Sequence, residues 1–203
     1  MISCILLSAG LSSRWGSPKA LVKFKGTTLI EHHQYRLLKT DIGEIIVVLG
    51  AAAKEIAPFL IHHQNIKSVD NSDYLLGQTS SVKTALRHVS VQVSGIMVLP
   101  VDVPFVQIAT FNLLIKNFYE DSSAIIIPCY KNIKGHPPIF PARMKEEILA
   151  LDNTMGLNAL LQSTKHKIRI LPVDDPGIVS GFNTQEEWKS LLVAFDQSRK
   201  KYP

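Results

Sequence analysis

The sequence predicts an α/β protein in which helices cover both faces of a mostly parallel central sheet, giving three layers. Two observations carry this prediction: short apolar runs alternate with helix-length amphipathic stretches, and the runs are apolar throughout instead of alternating with polar residues. Strands of that kind are buried on both faces, which is typical of parallel sheets. No repeat or linker interrupts the alternation, so the 203 residues are expected to form a single domain spanning 1–203.

The predicted elements follow this alternation along the chain. Thr28 is placed to cap the first helix. The stretch 131–141, which contains three prolines, is predicted to be irregular. Strands are predicted at residues 2–7, 44–49, 67–69, 95–99, 123–127 and 167–171. Helices are predicted at residues 28–39, 51–60, 79–89, 108–118, 142–151, 156–162 and 184–195.

Composition excludes several classes of protein. Hydrophobic residues make up 46% of the chain, enough for a sizeable core, but no run reaches the length of a membrane span. The net charge of +5 is dispersed, its densest cluster being the tail Arg199-Lys200-Lys201, expected to be a solvated terminus. Aromatic residues are only 7% and do not interleave with basic ones, so no nucleic-acid partner is expected. Cys4 and Cys129 each lie in an apolar run and are expected to be buried, unpaired side chains. This usage of cysteine is typical of a protein in the reducing cytoplasm.

In a parallel sheet, ligands bind at the carboxyl ends of the strands, which directs attention to residues after 7, 49, 99 and 171. The loop after the first strand is rich in glycine and serine and contains Arg14 and Lys19. Backbone amides in such a loop can cradle phosphates, while arginine and lysine supply charge. The spacing of Gly10 and Gly16 does not fit the Walker A loop, which disfavours a P-loop phosphohydrolase.

The joint pattern in this loop resembles the signature of the MobA-like nucleoside-triphosphate transferases, and most closely their molybdenum cofactor cytidylyltransferase branch. It is formed by Leu6-Leu7-Ser8-Ala9-Gly10 with Ser12, Arg14, Gly16 and Lys19. The resemblance implies a Rossmann-like fold of the nucleotide-diphospho-sugar transferase type. It also implies nucleotide binding by Ser8, Ala9, Gly10, Ser12, Arg14, Gly16 and Lys19, with Arg14 and Lys19 acting in catalysis.

A carboxylate follows the fourth strand in the rigid turn Pro100-Val101-Asp102-Val103-Pro104. Asp102 at a strand end is suited to hold Mg²⁺, although an aspartate in such a turn also caps helices or turn amides. The resemblance favours the catalytic, metal-binding role. Near the C-terminus, the family's second metal-binding aspartate is matched by Asn183, which offers an uncharged oxygen or simply caps the last helix. Asp174 and Asp175 are nearby alternatives.

Two further segments resemble family motifs. Ser80 and Ser81 begin a helix and match a motif that helps to hold the base, the alternative being a well-capped helix start. Gly135 and His136 match a glycine-histidine-proline segment on the acceptor side, where His136 could contact an acceptor phosphate or be an ordinary turn histidine.

The resemblance implies a Mg²⁺-dependent enzyme that moves a nucleotidyl group, CMP from CTP in the favoured branch, to a small phosphorylated acceptor such as molybdopterin. Pyrophosphate would leave, and a molybdoenzyme client would be a partner. Guanylyl and sugar-phosphate transferases remain alternatives, as does an accessory protein that binds nucleotide or cofactor without turnover.

Overall fold

A computed structural model describes residues 1–162 and 165–201 of the chain, residues 197–201 by their backbone alone. The side chains of the basic tail therefore lie outside the described residues. The strands are Ile2–Leu7 (β1), Lys23–Phe24 (β2), Thr27–Thr28 (β3), Glu44–Leu49 (β4), Ile66–Asp70 (β5), Gly95–Pro100 (β6), Ile125–Tyr130 (β7), Ile133–Lys134 (β8), Ile139–Pro141 (β9) and Ile168–Pro172 (β10).

The helices follow the predicted order, with bounds that differ by a few residues at most ends. They are Leu29–Leu37 (α1), Ala53–Ile56 (α2), Gln78–Leu86 (α3), Ile108–Glu120 (α4), Lys145–Ala150 (α5), Asn158–Gln162 (α6) and Gln185–Lys201 (α7). The Thr28 cap is confirmed, because its side chain and that of Glu31 form a reciprocal capping box. No helix in the described ranges is long and apolar enough to cross a membrane.

The central sheet has eight strands, in the order β10-β7-β9-β6-β1-β4-β5, with β8 paired to β7. β1 lies between two parallel neighbours, and Leu7 pairs with Val48 of β4 on one side and with Pro100 of β6 on the other. The chain first builds outward through β4 and β5 and then crosses β1 to reach β6. The carboxyl ends of these strands therefore meet where the strand order reverses, the usual position of a ligand site.

Two apolar layers enclose the sheet. In β1, Cys4 and Leu6 face the layer that contains α1, α4 and α7, whereas Ile5 and Leu7 face the layer that contains α3, α5 and α6. This division follows from the two-residue period of a strand. The three-layer α/β fold with a mostly parallel sheet is confirmed, and Cys4 and Cys129 are free and buried as expected.

The prediction of an irregular stretch at residues 131–141 is wrong. β9 lies inside the sheet and pairs antiparallel with β6 and β7, and Ile139 and Phe140 are fully buried. The strand is only three residues long, follows Pro138 and ends in Pro141, and because proline is rare in central strands the sequence pattern conceals it. The small β2–β3 hairpin was also not predicted, since each strand has two residues and the turn at Lys25-Gly26 provides its main signal.

Candidate active site

The loop after β1 curls back on itself and ends at Lys19. Ser12 has a φ of 53° and Gly16 a φ of 85°, so the backbone turns twice through the left-handed region. The carbonyl of Ser12 accepts hydrogen bonds from the N–H groups of Trp15 and Gly16 at 2.9 and 3.0 Å. The Ser12 hydroxyl accepts a third from the N–H of Lys19 at 3.1 Å, which fixes the backbone of that lysine.

The start of the same loop is anchored to the sheet. The hydroxyl of Ser8 donates to the carbonyl of Val48 at 2.8 Å, and the N–H of Ala51 donates to the carbonyl of Ala9 at 3.2 Å. Ser8 is therefore committed to holding the loop against β4. Gly10 has no positive φ, and a Cβ there would meet nothing within 4 Å, so its backbone borders open space.

Three oxygen atoms from two distant chain segments converge on the ammonium of Lys19. The Nζ atom donates to Asp102 Oδ2 at 2.7 Å, to the Phe182 carbonyl at 2.7 Å and to Asn183 Oδ1 at 3.0 Å. Arg14 Nη2 donates to the same Asn183 oxygen at 2.9 Å. The structure thus brings together Arg14, Lys19, Asp102 and Asn183, although they span most of the sequence.

The structure does not describe either Asp102 or Asn183 as the cap of the helix that follows it. Helix α4 has Gln107 as its N-cap, so the Asp102 carboxylate does not cap it. Helix α7 begins after Thr184, whose hydroxyl accepts from the N–H of Glu187 at 3.2 Å, leaving the Asn183 side chain to face the two cations. The carbonyl of Asp102 accepts from the N–H of Phe182 at 3.3 Å, which joins the two turns.

These oxygens are of the type that a hard divalent cation prefers. Asp102 supplies one carboxylate, and Asn183 and the Phe182 carbonyl supply neutral oxygens. Among the described residues there is no group of three or more His, Cys, Asp or Glu side chains arranged for a metal. Asp175 instead accepts hydrogen bonds from Gln107, Thr110 and Gly177, and Asp174 lines a different cavity.

A cavity of about 400 Å³ opens beside this cluster, within the range of small-molecule sites. Its wall is formed by the β1 loop, the turn after β6 and the N-terminal end of α3. The predicted residues on this wall are Ser8, Ala9, Gly10, Ser12, Arg14, Lys19, Ser81, Asp102 and Asn183. Gly16, Ser80, Gly135 and His136 do not line it.

The two serines of α3 have different environments. Ser81 reaches the cavity wall, whereas the hydroxyl of Ser80 donates to the carbonyls of Asp73 and Gly77. Asn71 Nδ2 donates to both serine hydroxyls, at 2.9 and 3.0 Å. Asn71 therefore fixes the start of α3, and Ser80 has a structural role there.

The segment with Gly135 and His136 does not line the cavity, but His136 lies close enough to Asp102 for the two side chains to interact electrostatically. A Cβ on Gly135 would come within 2.4 Å of the Ile178 carbonyl, so close backbone packing requires this glycine. Burial lowers the pKa of His136, while the Asp102 carboxylate acts to raise it. Its Nδ1 is buried and has no hydrogen-bond partner among the residues described, so this is not a solvated turn histidine.

The fold and the site together define a nucleotide-binding transferase: a glycine-containing loop with two cations faces a carboxylate at the point where the strand order reverses. The family model of the MobA-like NTP transferase domain matches residues 4–168, and the chain belongs to this family. The predicted resemblance is confirmed, as is the prediction of a nucleotidyltransferase.

Individual relatives agree with this assignment. The chain is 27% identical to the molybdenum cofactor cytidylyltransferase of Escherichia coli over 182 residues, which covers 86% of this chain and 92% of the relative. It is equally 27% identical, over 168 residues and 80% of each chain, to a probable molybdenum cofactor guanylyltransferase of Bacillus anthracis. The solved Rv0371c protein of Mycobacterium tuberculosis has a TM-score of 0.82 and 26% identity, covering 94% of this chain and 97% of that one. That protein has also been solved in complex with manganese.

Several residues of the site were not found from the sequence. Tyr74 and Gln78 line the cavity, and Asn71 holds α3 from behind. Asn71 follows β5 directly, so the rule that directs attention to carboxyl ends of strands could have found it. The Phe182 carbonyl has no comparable signal, because every residue carries one.

Proposed function

We propose that this protein transfers CMP from CTP, with Mg²⁺, to the phosphate monoester of a molybdopterin-type acceptor and releases pyrophosphate. The observation that carries the proposal is the convergence of Arg14, Lys19, Asp102 and Asn183 at one end of the cavity. Two cations beside oxygens suited to a metal form a site for a polyphosphate and its counter-ion.

The triphosphate is assigned to the β1 loop. Arg14 offers a planar fork that binds phosphate oxygens in pairs, and Lys19 offers a compact charge. The exposed backbone beside Gly10 allows phosphate oxygens to approach the amides closely. These groups hold and orient the triphosphate, and positioning of this kind accounts for a large share of catalysis in nucleotidyl transfer.

Asp102, Asn183 and the Phe182 carbonyl are the groups that would hold Mg²⁺. When bound, the cation would neutralise charge on the phosphates during transfer. The Rv0371c complex with manganese supports a divalent cation in a related protein.

Ser81 and Gln78, at the N-terminal end of α3, are assigned to the base, since this end of the cavity offers amide and hydroxyl groups. The Ser8-Ala9-Gly10 sequence is closer to the cytidylyl form of the family signature, which supports CTP over GTP. His136 is assigned to the acceptor phosphate, because its buried Nδ1 lacks a hydrogen-bond partner among the described residues and its ring interacts electrostatically with Asp102.

The reaction proceeds by in-line attack. An oxygen of the acceptor phosphate forms a bond to the α-phosphorus, and the bond from that phosphorus to the bridging oxygen of the β-phosphate breaks, so that pyrophosphate leaves. A phosphate monoester dianion is already a competent nucleophile and needs no protein base. The product would then pass to a molybdoenzyme client.

A non-catalytic accessory role is a second candidate, favoured by the neutral Asn183 in a cluster with one carboxylate. Pyrophosphate release in the presence of Mg²⁺ and molybdopterin, with CTP, GTP, ATP and UTP offered separately, tests both. We expect selective release with CTP and a fall of about 100-fold or more in Asp102→Asn. The exposed Asp41→Asn is the matched control and should behave as wild type.

Other results separate the alternatives. Pyrophosphate release with GTP would support nucleotidyl transfer but refute the assignment of CTP as the donor. Pyrophosphate release only when a sugar phosphate replaces molybdopterin would identify a sugar phosphate as the acceptor. Binding of nucleotide without release of pyrophosphate, whichever acceptor is offered, would favour the accessory role. Binding can be followed by tryptophan fluorescence, because the chain has two tryptophans and Trp15 lies in the nucleotide loop, 5.1 Å from the Phe182 ring.

A further inference from the structure

The ammonium of Lys19 lies at the point on which the proposed metal-binding oxygens converge. We propose that Lys19 occupies the divalent-cation site of the nucleotide-free protein, so that the cation enters only together with the nucleotide. This inference rests on the proposed function for the identity of the ligand, but its test does not require turnover.

The hydrogen-bonding geometry supports mutual exclusion. An ammonium has three N–H donors, and Lys19 directs its hydrogen bonds to three oxygens: Asp102 Oδ2, the Phe182 carbonyl and Asn183 Oδ1, at 2.7–3.0 Å. A Mg²⁺ ion needs such oxygens at about 2.0–2.1 Å. An ion that contacts all three oxygens from the side where the ammonium lies would collide with Nζ, and the two positive charges would repel each other.

The charge balance supports the same conclusion. The single carboxylate of Asp102 is neutralised by Lys19, and Arg14 adds a second positive charge at the Asn183 oxygen. A divalent cation that arrives alone therefore meets a site with no net negative charge. A bound triphosphate reverses this balance, because its oxygens attract Lys19 and Arg14 and supply further ligands for the cation.

Lys19 can make this exchange without moving the backbone. Its N–H is held by the Ser12 hydroxyl, and the residue begins a short 3-10 helix, Lys19–Leu21. The side chain lies on the cavity wall together with Arg14 and Gly10. Rotation about its own bonds is enough to transfer the ammonium from the oxygens to phosphates bound in the cavity.

The test is Mn²⁺ binding to the nucleotide-free, full-length protein, measured by electron paramagnetic resonance and by calorimetry. Wild type is expected to bind Mn²⁺ at this site weakly. Lys19→Met removes the ammonium and is expected to bind Mn²⁺ about tenfold more tightly or better. Lys116→Met, which removes an exposed lysine on α4, is the matched control and should bind as wild type does.

Two further variants secure the interpretation. Lys19→Gln, which removes the charge but keeps a polar group, should also gain Mn²⁺ binding. Adding Asp102→Asn to Lys19→Met should abolish the gain, while thermal unfolding verifies that each variant is folded. Equal Mn²⁺ binding by wild type and Lys19→Met, whether tight or weak, would overturn the proposal. A gain of Mn²⁺ binding in Lys19→Met, together with no pyrophosphate release by the wild-type protein, would support the role of Lys19 and refute the proposed transferase reaction.

Discussion

The close contact between Gly50 and Ala9 of the β1 loop provides a quantitative test of how the sheet positions the candidate site. Gly50 directly follows β4, and a Cβ built on it would lie 2.5 Å from the Ala9 carbonyl oxygen and 2.7 Å from the Ala9 Cβ. Both are backbone-fixed atoms and cannot rotate away. In Gly50→Ala, the Ala9 carbonyl would have to retreat by about 0.9 Å to restore a contact of 3.4 Å.

Such a displacement should affect both stability and function. Overpacking of this kind costs about 1–3 kcal/mol of unfolding free energy. The movement also weakens the hydrogen bond from Ala51 to Ala9 and shifts the loop that carries Arg14 and Lys19. Because a misplacement of about 1 Å can cost about 100-fold in rate, we expect kcat/KM for nucleotide to fall by one to two orders of magnitude, roughly.

Urea denaturation measures the first effect and pyrophosphate release the second. Gly156→Ala is the control, because the nearest atom to a Cβ at that exposed position is 4.0 Å away, and it should change neither quantity. If Gly50→Ala unfolded and reacted as wild type does, the loop would not be held by this contact, and β4 would not position Arg14 and Lys19.

Three other substitutions test separate parts of the molecule. Gly10→Ala should leave unfolding unchanged, since its Cβ meets nothing within 4 Å, but should weaken nucleotide binding about tenfold by blocking close approach of phosphates; unchanged titrations of Trp15 fluorescence would contradict this. Asn71→Ala should lower the unfolding free energy by about 1–3 kcal/mol in urea denaturation, because it leaves Ser80 and Ser81 short of a donor; wild-type stability would show that water replaces the amide. Burial lowers the pKa of His33 to about 3, so the unfolded chain takes up a proton below pH 6.5 that the folded chain refuses. Stability should therefore fall by about 2 kcal/mol from this side chain between pH 6.5 and pH 5, and His33→Gln should reduce the slope; an identical slope would contradict the assignment.

Most of the fold was predictable because buried parallel strands have an unmistakable pattern. β1 and β4 are buried at every position and apolar at all but one position each, and both were predicted with the observed bounds. The antiparallel β9 was not predictable in this way, since a three-residue strand that follows Pro138 and ends in Pro141 carries too little periodicity. Its place in the sheet is decided by pairing with β6 and β7, a tertiary interaction that local sequence does not encode.

The residues of the candidate site likewise fall into those that the sequence could predict and those that only packing decides. Arg14, Lys19 and Asp102 could be proposed from residue type and strand ends, because phosphate and metal chemistry needs those groups at that edge of the sheet. The different environments of Ser80 and Ser81 could not be predicted from the sequence. Adjacent helical residues point in different directions, and only packing decides which of the two reaches the cavity.

Asn183 at first favours a protein that has lost turnover, but the charge balance of the site argues otherwise. In the free protein, a second carboxylate beside Asp102 would face Arg14 and Lys19 and would be neutralised by them, as Asp102 already is by Lys19. With an amide at position 183, Arg14 and Lys19 keep a net positive charge that can attract a triphosphate. The phosphates in turn would supply the negative charge that a divalent metal ion needs. At the proposed metal site, a neutral oxygen at this position would therefore shift cation binding from the free protein to the protein–nucleotide complex, which is compatible with turnover and with joint entry of metal and nucleotide.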